Sequence, residues 1–186
     1  LLSAVASYEQ SLPARALFER REPPLLHSSL IDLDNSAFSL DRPLYTHQVE
    51  SLRLAQLQRN FVVATGTGSG KTECFLLPVL DDAVRHPGPG VRTIVVYPMN
   101  ALANDQLDRM RELLRSLPAI TFGRYTGDTP EDDARLTGED RGTRLLNERL
   151  TRQEIRSSPP HVLLTNFAML EYLLLRPRDI DIFREQ

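Results

Sequence analysis

Cysteine occurs once in this sequence, as Cys74, so the chain can close no internal disulfide and offers no second thiolate to share a metal. Set just after a glycine-rich loop, Cys74 is expected to be a small buried apolar side chain. No stretch approaches 18 apolar residues, and no basic segment followed by an apolar one opens the chain. Neither a membrane span nor a secretory leader is expected, and a soluble, cytoplasmic protein is. An excess of positive charge is also missing: the net charge is −3 and the pI about 5.8. That excludes a protein held to nucleic acid by a generally basic surface, and makes any such contact local. Lysine is scarcest of all. Of 22 lysines and arginines, every one except Lys71 is an arginine. The chain begins without methionine and stops soon after an apolar segment, and is expected to be a piece of something longer.

What is present is enough for one main core. At 186 residues, 41% hydrophobic and 25% charged, the chain suits a single domain of ordinary size with a partial extra element. Residues 1–20, with Leu2, Val5, Ala6, Leu12, Leu17 and Phe18, predict one or two short helices broken near Pro13. Residues 21–43, rich in Pro, Ser and Asp, read as an extended connector. Beyond Pro43 the pattern becomes regular. A helix is predicted over 46–59 with Thr46 as N-cap, then a buried strand 61–65 (FVVAT), a glycine loop, and a helix to about Val84. Strands are predicted at 91–98, 119–125 and 161–166, and helices at 100–117, 144–156 and 167–175, with an acidic, turn-rich loop at 126–140. Short apolar strands alternating with amphipathic helices predict an α/β fold, a parallel sheet with helices on both faces.

The run T-G-T-G-S-G-K-T, residues 65–72, approximates the phosphate-loop pattern G-x-x-x-x-G-K-[ST], with Gly70, Lys71 and Thr72 in register and Thr65 in place of the first glycine. Glycines at 66, 68 and 70 let a backbone curl around a phosphate with its amides pointing inward. Lys71 is placed to reach the β and γ phosphates, and Thr72 to offer its hydroxyl to Mg²⁺. An ammonium on a flexible stem follows a moving phosphate better than a planar guanidinium does. Upstream, PLYTHQ (43–48) sets Gln48 at a helix start 23 residues before Lys71, and an amide that both donates and accepts suits the N6 and N7 edge of adenine.

With YPMNALANDQ at 97–106, RYTGDT at 124–129 and LLTN at 163–166, the chain resembles the superfamily 2 DEAD/DEAH-type helicases over about residues 43–176. VATGTGSGKTE and the MLEYLLLRP run resemble the large bacterial DNA-helicase branch, which includes DNA-repair and phage-defence helicases. The resemblance implies a RecA-like P-loop NTPase sandwich, truncated, with residues 1–42 as an N-terminal helical extension and connector and 43–186 as the first RecA-like domain. It implies ATP and Mg²⁺ as cofactors. Gln48, Thr67, Gly68, Ser69, Gly70, Lys71, Thr72 and Glu73 would bind the nucleotide, with Thr72 on the metal and Lys71 and Thr72 in the catalytic roles. Pro98, Asn100, Thr126, Gly127, Asp128, Thr165 and Asn166 would track a nucleic-acid strand, with DNA favoured over RNA by the FAMLEY segment. Taken singly, Asn100 and Asn166 read equally well as helix caps, and Gly127-Asp128 as a tight turn.

The family's second acidic motif, D-E-x-[HD] after an apolar strand, has no counterpart here: Asp81-Asp82 lie in a helical pattern and residues 131–133 in a polar loop. It is expected after residue 186, together with a second RecA-like domain, so the parent is expected to hydrolyse ATP and this piece alone is not. An ATP-gated binding or switch module that unwinds nothing is the alternative. A P-loop kinase or transporter ATPase fits Gln48 and the motif order less well.

Overall fold

The computed structural model describes residues 8–19, 24–35 and 38–183. The chain forms two compact units, one of residues 1–34 and 38–82 and one of residues 35–37 and 83–186.

In the first unit, β1 (Gln10–Pro13) pairs antiparallel with β2 (Pro43–Tyr45), Gln10 lying opposite Tyr45 and Pro13 opposite Pro43. A strand therefore stands where short helices were expected. Proline lacks an N–H and breaks a helix, yet ends a strand without loss, and a 3-10 turn over Ala14–Leu17 comes next. Leu2, Val5 and Ala6 of that expectation lie outside the described residues. The connector is also more ordered than its composition suggests. A 3-10 turn, Ser28–Leu33, buries Leu30 and Leu33, and the amide of His27 donates to Asp81 Oδ1 at 2.6 Å.

Helix α1 (Thr46–Gln56) buries Val49 and Leu52. Thr46 is not its cap. The helix starts after Tyr45, whose amide donates to Gln48 Oε1 at 2.8 Å, while the hydroxyl and amide of Thr46 both donate to Glu9 O. Residues 61–65 form no strand, another correction. They alternate between partly buried and exposed, Val62 standing 92% exposed, and find no ladder partner among the described residues. Apolar composition marks a segment fit for a sheet, but the strand itself exists only through its neighbour's hydrogen bonds. Helix α2 (Lys71–Arg85) comes after the glycine loop, burying Cys74, Leu76, Leu77 and Leu80; the first unit ends within it.

The second unit is built in chain order from β3 (Thr93–Tyr97), α3 (Asn100–Leu114), β4 (Phe122–Tyr125), α4 (Gly138–Thr143) and β5 (Glu148–Arg149). α5 (Arg152–Ser157), β6 (Val162–Asn166), α6 (Phe167–Leu175) and α7 (Pro177–Ile180) complete it. The strands form one parallel sheet in the order β3-β6-β4-β5, flanked by helices. The α/β class is as expected. β6 sits between two neighbours and buries Val162 to Thr165, which is why it reads as an unbroken apolar run. β3 lies at the edge and leaves Ile94 and Val96 partly exposed. Tyr125, Ile155, Leu163, Leu173 and Ile182 form a buried cluster, with Val91, Met169 and Phe183 packed against it.

The helix expected over 144–156 is broken into β5 and α5 by long-range polar ties. The buried Asn147 amide donates to the carbonyls of Leu114, Leu117 and Ile120 at 3.1, 3.3 and 2.8 Å, closing the end of α3. Both oxygens of the buried Glu148 carboxylate accept from Arg111 Nε, at 3.0 and 3.1 Å. Helix geometry would pull both side chains off these partners, so the helix begins only at Arg152, where Thr151 Oγ1 accepts from the Glu154 amide. The acidic loop is more regular than expected, since α4 is closed by a Thr137–Asp140 capping box. His161 pins the base of β6: its Nδ1 accepts from the Thr121 amide and its Nε2 donates to Gly88 O, at 2.9 and 2.8 Å. No described helix is long and apolar enough to cross a membrane.

Candidate functional site

The glycine loop is shaped by contacts within its own unit. Gly68 and Gly70 have φ of +75° and +70°, a region that side chains with a Cβ avoid. At Gly70 space is short as well, for a Cβ would collide with Nε2 of Gln48. At Gly66 a Cβ would lie 2.7 Å from the Tyr8 hydroxyl oxygen. The loop is closed on itself by a Thr65–Ser69 hydroxyl bond of 2.6 Å, with Ser69 fully buried.

The first turn of α1 grips this loop. His47 Nε2 donates to Ser69 O at 2.8 Å and Gln48 Nε2 to Gly70 O at 2.9 Å. Gln48 is buried and its amide is committed at both ends: Oε1 accepts from Tyr45 N, and Nε2 also approaches Glu73 Oε2 at 3.4 Å. To read a base edge, the amide has to exchange these bonds. Glu73, buried in turn, receives Arg42 Nη2 on its other oxygen at 3.1 Å. It thus orients Gln48 and the start of α2.

Lys71 Nζ donates to the carbonyls of Thr65 and Gly66 at 2.8 and 2.6 Å. Among the described residues no carboxylate pairs with it. An ammonium held on neutral carbonyls, at the N-terminus of a 15-residue helix, is an unneutralised positive site. Nothing lies within 4 Å of a Cβ built on Gly68, so the loop's tip is open. These features fit a phosphate chain. Thr67 is exposed on the same loop and Thr72 half-buried on the first turn of α2. No cluster of three His, Cys, Asp or Glu that could hold a metal occurs among the described residues. A magnesium ion here would draw on Thr72, phosphate oxygens and water, the ligand set it favours. Burial pushes the Cys74 thiol up, which makes it inert, in keeping with the apolar role expected of it.

In the second unit the parallel register sets Tyr97 level with Asn166 and Tyr125 level with Thr165, bringing the C-terminal ends of β3, β6 and β4 side by side. A chain of side-chain bonds links residues at and just beyond these ends. Asn166 Nδ2 donates to Asn100 Oδ1 at 2.5 Å, and Asn100 Nδ2 to Asp128 Oδ2 at 2.9 Å. Asn100 therefore does not cap α3; Met99 holds that place without a side-chain bond. Asn166 does cap α6, its Oδ1 accepting from Met169 N at 2.7 Å, while its amide nitrogen serves Asn100.

Residues 126–129 form a tight turn, with Thr129 N donating to Thr126 O. Gly127 and Asp128 are exposed at its tip, and Pro98 is exposed after β3. Thr126 and Thr165 are fully buried, and the Thr165 hydroxyl donates to Tyr125 O at 2.7 Å. The structure thus gathers Asn100, Asp128 and Asn166, and keeps the two threonines inside as supports. The sequence reading missed His47 and Arg42, whose signal was adjacency to Gln48 and to the start of the regular pattern. It also missed Arg152, which lies 25 and 26 residues from the turn carbonyls it holds.

The DEAD/DEAH box helicase family model matches residues 45–179. This chain belongs to the DEAD/DEAH box helicase family. Among curated relatives, the Druantia protein DruE of Escherichia coli is 28% identical over 99% of this chain and 15% of its own length. The uncharacterized ATP-dependent helicase MJ1574 of Methanocaldococcus jannaschii is 31% identical over 72% of this chain and 17% of its own. The chain thus spans less than a fifth of the length of these curated relatives. Among solved structures, the DUF1998 helicase MrfA bound to DNA and AMPPNP superposes with a TM-score of 0.65 at 23% identity, covering 95% of this chain and 21% of that one. The fold is the RecA-like fold of these helicases.

Proposed function

We propose that this chain is the N-terminal motor part of an ATP-dependent DNA helicase or translocase that binds Mg-ATP at the glycine loop and one nucleic-acid strand at the sheet's strand ends. In this reading, residues 1–42 are an accessory layer, 43–186 belong to the first RecA-like domain, and the rest of the parent chain supplies the second. The observation that carries it is the Lys71 ammonium, held on two loop carbonyls at a long helix's N-terminus, with no carboxylate paired to it among the described residues.

Lys71 would exchange those carbonyls for phosphate oxygens, the loop amides would bind the same anion, and Gln48 would meet adenine. When bound, Mg²⁺ supplies neutralisation of the β and γ phosphate charge, with Thr72 as the protein's hydroxyl ligand. Amides at the starts of α3 and α6, with Asn100 held between Asp128 and Asn166, would receive strand phosphates without a basic surface, which suits a net charge of −3. DNA is preferred to RNA because MrfA was solved with DNA and because of the resemblance to the large bacterial helicase branch, of repair or phage-defence type. The protein would act in the cytoplasm.

The test is Mg-ATP binding and ATP hydrolysis by the full-length protein, with and without single-stranded DNA or RNA. Micromolar ATP binding, lost in Lys71→Ala, with Gln48→Ala erasing the preference over GTP and DNA accelerating hydrolysis, is the expected pattern. ATP binding without nucleic-acid stimulation would turn the reading toward a nucleotide-gated switch, and no binding at all would end it.

A further inference from the structure

Helix α5 carries two arginines four residues apart, Arg152 and Arg156, a spacing that sets both on one helix face. Neither faces a ligand in the proposed function. Arg152 Nη2 donates to the carbonyls of Thr126 and Gly127 at 3.0 and 3.1 Å, and its guanidinium sits 5.3 Å over the Tyr125 ring. The amides of Arg152 and Gln153 donate to the carbonyls of Pro130 and Glu131 at 2.9 and 3.0 Å. The whole 126–131 turn is therefore hung, carbonyl by carbonyl, from the start of α5. Arg156 fixes α5 in turn. It donates to Glu131 Oε1 at 2.5 Å, to the Tyr125 hydroxyl at 2.9 Å and to Asp179 Oδ1 at 2.7 Å. Tyr125 OH donates to that same oxygen of Asp179 at 2.9 Å, and both residues are fully buried.

Arg152, Arg156, Glu131, Tyr125 and Asp179 form a polar network that joins this turn to β4 and α7, with Arg178 Nε 3.9 Å from Asp179. Four neutral carbonyls of residues 126–131 are thus taken by donors of one helix, and within the turn Thr126 N donates to Thr129 Oγ1.

We infer that Arg152 and Arg156 are positioning residues for the nucleic-acid contact: they hold the Thr126–Asp128 turn, and through Asp128 the Asn100 amide, in binding geometry, and tie that geometry to α7 through Asp179. The inference rests on the proposed strand contact at the sheet's ends. The arginines act through the turn, not on the phosphates. That distinction is measurable, because a charged side chain on a phosphate releases counterions while a neutral amide contact does not.

The experiment measures single-stranded DNA affinity of the full-length protein between 50 and 200 mM salt, for wild type, Asn100→Ala, Arg152→Ala, Arg152→Lys and Arg156→Lys. The urea unfolding midpoint of each variant is the control for folding of the second unit, and Mg-ATP binding the control for the first. Arg152→Ala is expected to weaken DNA binding about tenfold, with ATP affinity and the salt slope unchanged. Arg152→Lys keeps the charge and a donor for the carbonyls but loses the planar guanidinium over the Tyr125 ring, and should fall between. Arg156→Lys should weaken binding likewise. If wild type binds no DNA, the strand-end reading fails and this inference with it. If wild type binds and Asn100→Ala weakens binding while the arginine variants match wild type, this inference alone is overturned. A salt slope smaller by about 0.7 in Arg152→Ala would assign Arg152 a phosphate of its own and overturn the positioning role.

Discussion

Gly70 is the position where the loop's backbone and its support from α1 meet, and replacing it with alanine measures both. The φ of +70° at Gly70 places a Cβ in a region that costs about 1–2 kcal/mol for an L side chain. The same Cβ collides with Nε2 of Gln48. That nitrogen is the far end of a flexible side chain, so the clash itself is relieved cheaply. Moving it, however, breaks a buried bond to Gly70 O at 2.9 Å and the longer approach to Glu73, leaving polar groups unpaired for roughly 1–2 kcal/mol more. Gly70→Ala should therefore destabilise the chain by about 2–4 kcal/mol. Gly68→Ala supplies the control. Its φ is +75° but nothing lies within 4 Å of its Cβ, so only the backbone cost of about 1–2 kcal/mol applies. Urea unfolding of both variants, and of each combined with Gln48→Ala, separates the two costs. In the Gln48→Ala background the penalty at Gly70 should fall toward that at Gly68. Equal penalties at the two glycines, or a Gly70 penalty indifferent to Gln48, would refute the claim that the loop is shaped by the glutamine.

The second unit offers three further tests. Asn147→Ala removes three donor bonds just beyond α3, leaving Leu114 O and Leu117 O their backbone amides but Ile120 O without this donor, and should cost about 1–3 kcal/mol in urea unfolding. Asn166→Ala removes the α6 cap and should cost about 1 kcal/mol. Asn166→Asp keeps the cap but loses the donor to Asn100, so it should leave stability nearly intact while weakening DNA binding. Burial opposes ionisation of Asp179, but hydrogen bonds from Arg156 and Tyr125 outweigh it and hold the carboxyl below its ordinary value of 3.8. A lowered folded value means this stabilisation is complete above pH about 3.8 and is lost as pH falls through the folded value. In Asp179→Asn the acid-side loss in a pH series of unfolding midpoints should shrink; an unchanged profile would count against it.

Helices α2, α3 and α6 and strands β3, β4 and β6 were legible because each carries its own period: apolar positions at helical spacing, or short apolar runs closed by turn residues. The glycine loop was legible because it carries a short motif whose spacing does not depend on partners remote in sequence. The expectations that failed depended on partners remote in sequence. Residues 61–65 have strand composition, yet nothing local says whether a neighbour will pair with them. Pro13 signals a break but not that residues 10–13 will lie along 43–45. Asn147 and Glu148 sit in a helical pattern, and their ties to α3 across 27 to 37 residues decide otherwise. The same holds at the strand ends. Sequence offered Asn100 and Asn166 as caps, and only the parallel register reveals that one is a cap and the other its bonding partner.

The scarcity of lysine acquires a reason once the arginines are traced to their partners. Arg15 pairs with Asp34 and Asp41, Arg42 with Glu73, Arg111 with Glu148, Arg144 with Glu154, and Arg156 with Glu131 and Asp179. These are ion pairs, the most deeply buried of them on the carboxylates of Glu148 and Asp179, for which a planar fork with several donors is well suited. Lys71 instead rests on neutral carbonyls, bonds it can give up when an anion arrives. A guanidinium is less suited to that exchange, since its donors are locked in a plane, whereas an ammonium on a flexible stem can swing from the carbonyls to phosphate oxygens. Lys71→Arg keeps the charge and the helix start, so the unfolding midpoint should stay close to wild type while Mg-ATP affinity falls at least about tenfold, or roughly 1.4 kcal/mol. Affinity retained in Lys71→Arg would mean that charge alone is required at this position, and the contrast between the single lysine and its arginine background would carry no functional meaning.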